Sequence, residues 1–279
     1  MAKVNTEIIV CPYCEQKEYT TWGTDNGFVA VKCNNCKFVY VNPRPLNSMI
    51  DDAVRTGTHS EEANSMNVVT RRIGSKVERY KKIFEELYDD IWKSNKPISW
   101  LDIGAGFGEI IEAINIVAPK NSNVQGLEPM EPKAKDARSR GLIIKQGFID
   151  SVTEKFDFIS LIDVFSHIPD FRAFLNDAKN VLNKNGEIFI ETGNAADFDR
   201  NQIPSELSLP DHLVFAGESH IKGFLIEAGF EIIKIKKVRI DTPLGFVKDV
   251  VKFLIGRPIK LVFPYTSPYR SLLIRAKLK

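Results

Sequence analysis

Apolar and polar positions follow two different periods along this chain. From residue 97 onward, short apolar runs bounded by turn residues recur at 98–103, 123–128, 142–146, 156–163, 186–192, 230–240 and 271–278. Between them lie segments whose apolar residues return every three or four positions, at 109–117, 132–140, 170–182 and 219–228. The first set predicts strands and the second helices. Their alternation predicts an α/β fold whose parallel sheet is covered on both faces.

Upstream, Val69, Ile73, Val77, Tyr80, Ile83, Phe84, Leu87 and Ile91 recur at helical spacing, so 68–92 reads as one long amphipathic helix ended by Lys93-Ser94-Asn95-Lys96-Pro97. The stretch Leu46 to Asn67 is polar with weak helical character. The chain therefore divides into 1–45, a helical linker at 46–96, and 97–279, with an insertion at 243–268 between the last two strands.

The first division holds all four cysteines, in the pairs Cys11-Pro12-Tyr13-Cys14 and Cys33-Asn34-Asn35-Cys36 separated by eighteen residues. This is the spacing of a four-thiolate structural zinc site, with the intervening segment running out and back as a hairpin around Thr24-Asp25-Asn26-Gly27. So short a ribbon cannot bury a sufficient core, and the metal is expected to supply its folding free energy. Redox pairs or disulfides fit less well, because no βαβ pattern surrounds either pair. A closed Cys11, Cys14, Cys33, Cys36 shell leaves no position for catalysis.

The loop Asp102-Ile103-Gly104-Ala105-Gly106-Phe107-Gly108 follows the first strand of the alternating region. Glycines there let backbone approach a ligand, and the helix after them turns its positive end to the site. The spacing is G-x-G-x-G, not the G-x-G-x-x-G of dinucleotide enzymes, and the second strand ends in an acid, Glu128, suited to ribose hydroxyls. Asp102 would repel a pyrophosphate but favour a sulfonium and an ammonium. With these residues the chain resembles the class I S-adenosylmethionine-dependent methyltransferases, small-molecule subfamily, preceded by a zinc ribbon.

The resemblance implies a Rossmann-like seven-stranded sheet with an antiparallel C-terminal strand pair, and a linker used as a lid, although a helix merely packed on the sheet fits the linker equally well. It implies that S-adenosylmethionine meets Asp102, Gly104, Ala105, Gly106 and Glu128, with Phe148, Ile149 and Asp150 about the adenine and Asp163 at the end of the fourth strand. The segment Asp163-Val164-Phe165-Ser166-His167-Ile168-Pro169-Asp170 is similar to the family's V-L-E-H-x-P-D, with Ser166 in place of the glutamate. His167 then contacts the cofactor or braces the loop. Pro210-Asp211-His212-Leu213-Val214-Phe215 resembles an acceptor-facing loop, which makes His212 the candidate general base.

The expected activity is methyl transfer to a small or medium acceptor, an oxygen of a sugar, glycan precursor or other metabolite. An RNA base methyltransferase is the rival, since a zinc ribbon ahead of this fold also resembles a ribosomal RNA guanine methyltransferase family. The ribbon itself argues little for RNA, because Tyr13, Tyr19, Trp22 and Phe28 offer stacking surfaces yet Lys and Arg are sparse there. A non-catalytic binding module of the same fold is a third reading.

Charge adds one further feature. Residues 232–279 carry twelve Lys/Arg and two Asp, about +10, while the chain as a whole is +2. An anionic acceptor, a membrane surface touched peripherally through 243–268, nucleic acid, or a sheet edge protected by lysines would each account for it. No apolar run reaches the ~20 residues of a membrane span. The first residues lack a signal peptide's apolar core, and a cytoplasmic location is expected.

Overall fold

The structure is a computed structural model that describes residues 5–60, 63–65, 69–203, 206–239, 243–256, 263 and 267–279. Three strands, β1 (Tyr19–Asp25), β2 (Phe28–Cys33) and β3 (Val39–Val41), form an antiparallel ribbon. Asn26 and Gly27, at φ 50° and 79°, close its hairpin in the left-handed pair of angles that a two-residue turn demands. Helices α1 (Asn47–Thr56) and α2 (Gly74–Leu87) lead to the main sheet.

That sheet contains β4 (Ser99–Ile103), β5 (Asn123–Glu128), β6 (Ile144–Gln146), β7 (Phe156–Ile162) and β8 (Leu182–Gly193), separated by α3 (Glu109–Val117), α4 (Glu131–Ser139) and α5 (Phe171–Val181). After β8 come the short strand β9 (Val214–Phe215), α6 (Glu218–Glu227), β10 (Phe230–Arg239), α7 (Pro243–Leu254) and β11 (Arg270–Leu278). The seven strands lie in the order β6-β5-β4-β7-β8-β11-β10. Pairing is parallel through β8, and β11 runs antiparallel to both β8 and β10. The expected seven-stranded α/β sheet is present.

Side-chain parity assigns the two faces. Leu101, Ile103, Ile159 and Leu161 pack with Phe171, Leu175, Ile221 and Phe224 of α5 and α6. Trp100, Phe158, Ile162 and Phe189 pack with Tyr80, Phe84 and Ile111 of α2 and α3. Aromatic edges build this second face: the Tyr88 ring lies 5.0 Å from Trp100 and 5.6 Å from Phe158.

The single long helix expected over 68–92 is two pieces. Glu109 Oε1 accepts the Ile73 amide (2.7 Å), which fixes where α2 begins, and buried Tyr88 leaves helical geometry (φ −121°, ψ 23°) before a short turn at Asp89–Trp92. Of the two readings of this segment, α2 takes the packed one, with Val77, Tyr80, Ile83, Phe84 and Leu87 buried.

The ribbon is not a free-standing unit. Val31, Phe38 and Tyr40 belong to the same core as α5 and α6. Strand β3 pairs antiparallel with β9, so the ribbon sheet is completed by a strand from beyond β8. Arg172 on α5 donates to the carbonyls of Pro12 and Tyr13 (2.6 Å each) while pairing with Glu227. The ribbon lacks a core of its own because its core is shared. Of the aromatics weighed for base stacking, Trp22 is buried and Tyr13 stacks among Phe38, His220 and Phe224.

Candidate cofactor and acceptor site

A cavity of about 850 Å³ opens at the carboxyl ends of the parallel strands, where open α/β sheets bind ligands. It is continuous from the glycine loop past Glu128 and Phe148 to His167, His212 and Tyr269. That volume is at the upper end of ligand pockets, roughly 300–1,000 Å³.

The loop's three glycines divide by role. A Cβ on Gly104 (φ +72°) would fall 2.5 Å from Val164, and one on Gly108 (φ +83°) 2.4 Å from Leu142. Packing therefore requires glycine at both, and Gly104 also lines the cavity. Gly106 (φ +54°) has nothing within 4 Å of its Cβ position, which opens into the cavity. It is the position where ligand and backbone can meet. Ala105 also lines the cavity.

Glu128 ends β5 as expected, buried yet lining the cavity. Its Oε2 accepts the Gly106 amide (2.7 Å) and its Oε1 the Met130 amide (2.9 Å). Each oxygen keeps a lone pair for a ligand hydroxyl, so the residue shapes the loop as well as presenting a carboxylate. Burial raises its pKa.

Asp102 lies beneath the loop and is not among the lining residues; it is 1% exposed. Trp100 Nε1–H donates to Ser160 Oγ (2.9 Å), and that hydroxyl donates to Asp102 Oδ1 (2.5 Å). Burial pushes the Asp102 carboxyl up to about 7, against the hydrogen bond from Ser160 and with the neighbouring charges of Glu128 and Glu109. It can act on a ligand through its charge, not by direct contact.

Phe148, Ile149, Asp150 and Asp163 all line the cavity. The Arg55 guanidinium lies 4.5 Å from the Phe148 ring centre, so α1 closes over this end with Ile50, Asp51 and Val54 on the wall. Asp163 holds φ +59° at the carboxyl end of β7. Asp tolerates this region better than most residues, and an outlier at a strand end is common in sites.

At the far end, the turn at Phe165–His167 is tied to the loop preceding β9. Leu213 N–H donates to Ser166 O (2.7 Å), and His167 Nδ1 lies 2.9 Å from Asp211 O and 3.0 Å from Asp211 Oδ1. Burial lowers the His167 pKa, but the hydrogen bond and charge of Asp211 outweigh it and the net direction is up. His167 thus braces the loop.

His212 Nδ1 lies 3.0 Å from the Leu207 carbonyl, which can only accept, so Nδ1 carries the proton and Nε2 keeps its lone pair. Burial first, then the neighbouring His167, lower its pKa. The two rings stand 5.0 Å apart and both line the cavity.

Two wall features escaped the sequence reading, and a third, helix α1 in the helical linker, was signalled only weakly, by Ile50, Ala53 and Val54 at helical spacing in a polar stretch. Lys76 of α2 faces the glycine-loop end. Tyr269 packs its hydroxyl where a Cβ on Gly193 would lie (1.9 Å), so that glycine at the end of β8 makes room for it.

The four cysteine sulfurs lie within 4.8 Å of one another, with Cys11–Cys36 and Cys14–Cys33 at 3.5 Å. A tetrahedral zinc with ~2.3 Å Zn–S bonds sets its sulfurs ~3.8 Å apart, so the donor set and spacing fit. His220 Nε2 lies 2.8 Å from the Cys36 carbonyl while its Nδ1 accepts the Gly217 amide (3.0 Å), which anchors the second cysteine pair to α6.

A family model for a methyltransferase domain matches residues 75–235. The ubiquinone biosynthesis O-methyltransferase of Actinobacillus pleuropneumoniae serotype 7 (strain AP76) is 32% identical over 108 residues, covering 34% of this chain and 45% of that protein. The protein of the same name from Histophilus somni (strain 2336) is 30% identical, covering 34% and 44%. The chain thus spans less than half the length of these curated relatives. Among solved structures, a putative sarcosine dimethylglycine methyltransferase from Galdieria sulphuraria superposes with a TM-score of 0.54 at 16% identity, covering 72% of this chain and 85% of the other. Magnesium protoporphyrin IX methyltransferase from Synechocystis PCC 6803 with bound SAH gives 0.52 at 13% identity, covering 83% and 99%. On the match from α2 to β10 and the sheet order, the chain belongs to the methyltransferase domain family and carries the class I S-adenosylmethionine-dependent methyltransferase fold.

Proposed function

We propose that the protein transfers a methyl group from S-adenosylmethionine to a hydroxyl oxygen of a small or medium acceptor, such as a sugar, a glycan precursor or another metabolite. One observation carries the reading: a single cavity joins Gly106 and Glu128 at one end to the free Nε2 side of His212 at the other. The names of the curated relatives, O-methyltransferases acting in ubiquinone biosynthesis, support oxygen as the acceptor atom.

Gly106 and Glu128 would hold the ribose and the chain beyond it, with Phe148 and Ile149 against the adenine. The bound cofactor supplies an already activated methyl group. What remains for the protein is to orient the acceptor and take its proton. Burial first, then His167, lower the His212 pKa, which favours the neutral imidazole that a base needs. His167, Ser166 and Asp211 position the loop. His212→Ala should lower turnover by about 10²-fold with cofactor affinity unchanged. Full turnover in that variant, scored as demethylated cofactor released with candidate sugars and phenols, would remove the base assignment.

Asp102 gives a second test. A cationic ligand favours its ionised form, and its pKa of about 7 means that form is scarce below neutrality. Cofactor affinity should therefore rise with pH through about 7 and level off above it, by several-fold. Without ligand the sign is opposite for stability: the raised pKa favours the folded state at low pH, and that contribution fades as pH climbs toward 7. Calorimetric titrations across this range on wild type and Asp102→Asn separate the two, because the variant should lose the Asp102 share. Identical pH profiles would sink the idea.

The four cysteines, in this reading, hold one structural zinc, and the ribbon it closes buttresses the acceptor end of the cavity.

A further inference from the structure

Strands β10 and β11 join at the same edge as the cavity. Arg239 at the end of β10 pairs with Arg270, and Ser271 pairs with Gly193 at the carboxyl end of β8. The two ends of the connection are therefore anchored at the open end of the site, and Tyr269, at its close, lines the cavity.

The connection carries α7, a helix with one unpartnered apolar stripe. Val247, Val251, Leu254 and Ile255 stand at i, i+4, i+7 and i+8, and are 57%, 54%, 75% and 67% exposed. Phe253, also exposed, stands at i+7 from Phe246, on that residue's side of the helix. The opposite rim, Phe246 and Val250, is half-buried, and Phe246 stacks on Phe263 at 5.3 Å. Lys248 and Lys252, one turn apart, run along the border of the stripe. Lys252 has only a 3.5 Å exposed contact with Asp249. Exposed pairs of that kind neutralise little.

The rest of the basic C-terminal region behaves differently. Lys236 pairs with Glu86, Lys237 with Glu218, and Arg275 with Glu187 and Asp90, so these three strand charges are answered within the fold. Arg270, at the cavity edge beside the connection, donates to the backbone carbonyls of Ser267 and Tyr269, which leave its charge in place. Cationic charge persists where the apolar stripe is.

We propose that α7 docks on an anionic lipid surface, laying Val247, Val251, Leu254 and Ile255 among the headgroups while Lys248 and Lys252 meet the lipid charge. A broad apolar face edged by lysine is how interfacial helices lie in the plane of a bilayer. Among the described residues no helix is long and apolar enough to cross a membrane, so the contact is a surface one. It is independent of the transfer chemistry, and it sets the open end of the cavity beside the headgroups.

The test is co-sedimentation of the full chain with phosphatidylcholine vesicles containing phosphatidylglycerol, against vesicles of phosphatidylcholine alone. Wild type should partition onto the anionic vesicles, and added salt should weaken the binding as it screens the lysines. Leu254→Asp should lower the partition coefficient at least tenfold, as should the pair Lys248→Glu and Lys252→Glu. Ile226→Asp, an equally exposed apolar position on α6, should leave it unchanged. Circular dichroism confirms folding of each variant. Wild type remaining in the supernatant at low salt overturns the proposal, as does Leu254→Asp partitioning like wild type. A dimer in analytical ultracentrifugation that Leu254→Asp dissociates, without vesicle binding by either protein, overturns it in favour of a second copy as the occupant.

Discussion

On the zinc proposed for the four cysteines, Cys33→Ser should release the metal and lower turnover by about 10²-fold or more, while cofactor affinity stays close to wild type. Cys33 is fully buried at the end of β2, and its knuckle is closed by Cys33 N–H to Phe38 O (2.9 Å) and Lys37 N–H to Cys33 O (3.1 Å). In isolated zinc modules the binding free energy, ~10–16 kcal/mol, is the folding free energy. Here part of that role passes to the shared core, so loss of zinc should loosen the ribbon without unfolding the sheet. The consequence reaches the acceptor end through β3. Val41 N–H donates to Leu213 O (2.8 Å) and β3 pairs with β9, and His212 precedes Leu213 directly. Displacing a base by about 1 Å can cost 10²-fold. Among the described residues no hydrogen bond joins the glycine loop, carried by β4 and held by Glu128, to the ribbon. Elemental analysis, calorimetry and turnover on one preparation decide the matter. Zinc-free wild type of full activity, or full turnover in the variant, would refute it.

How legible the fold was depended on how local each decision is. The bounds of α3 and β5 agree with the sequence pattern because a left-handed Gly108 starts one and the terminal acid Glu128 ends the other. The break at Tyr88 is not a local preference. It occurs because that ring is needed among Trp100, Phe158 and Phe189, residues far along the chain, with the Arg275 guanidinium 4.3 Å from its centre.

The same divide runs through the site. Glu128 and Gly106 were recognisable from spacing, His167 and His212 from the family resemblance, and the structure brings them to one cavity. The reasons for Gly104 and Gly108 were not, since Val164 and Leu142 become their neighbours only through tertiary packing. Docking of the ribbon had a readable sign. Phe38-Val39-Tyr40-Val41 is an unbroken apolar run, and a strand buried on both faces cannot belong to a small free-standing unit.

Gly106→Ala should weaken S-adenosylmethionine binding by about 10²-fold while the chain stays folded. The added methyl meets nothing in the ligand-free protein, since no atom lies within 4 Å of its position. The substitution therefore costs only the left-handed backbone, roughly 1–2 kcal/mol for a residue with a Cβ. With a ligand seated against the loop, that space is needed, and overpacking of ~1–3 kcal/mol corresponds to a loss of about five- to more than a hundredfold. Gly141→Ala separates the two effects. Gly141 has φ +83° and likewise nothing within 4 Å, but it lies in the turn after α4, outside the cavity lining, so it should show the same fall in melting temperature with unchanged affinity. Gly104→Ala would not serve, because its Cβ strikes Val164 whether or not a ligand is bound. If calorimetry finds Gly106→Ala and Gly141→Ala equal in affinity, the loop does not touch the cofactor at Gly106, and the end of the cavity assigned to it is the wrong one.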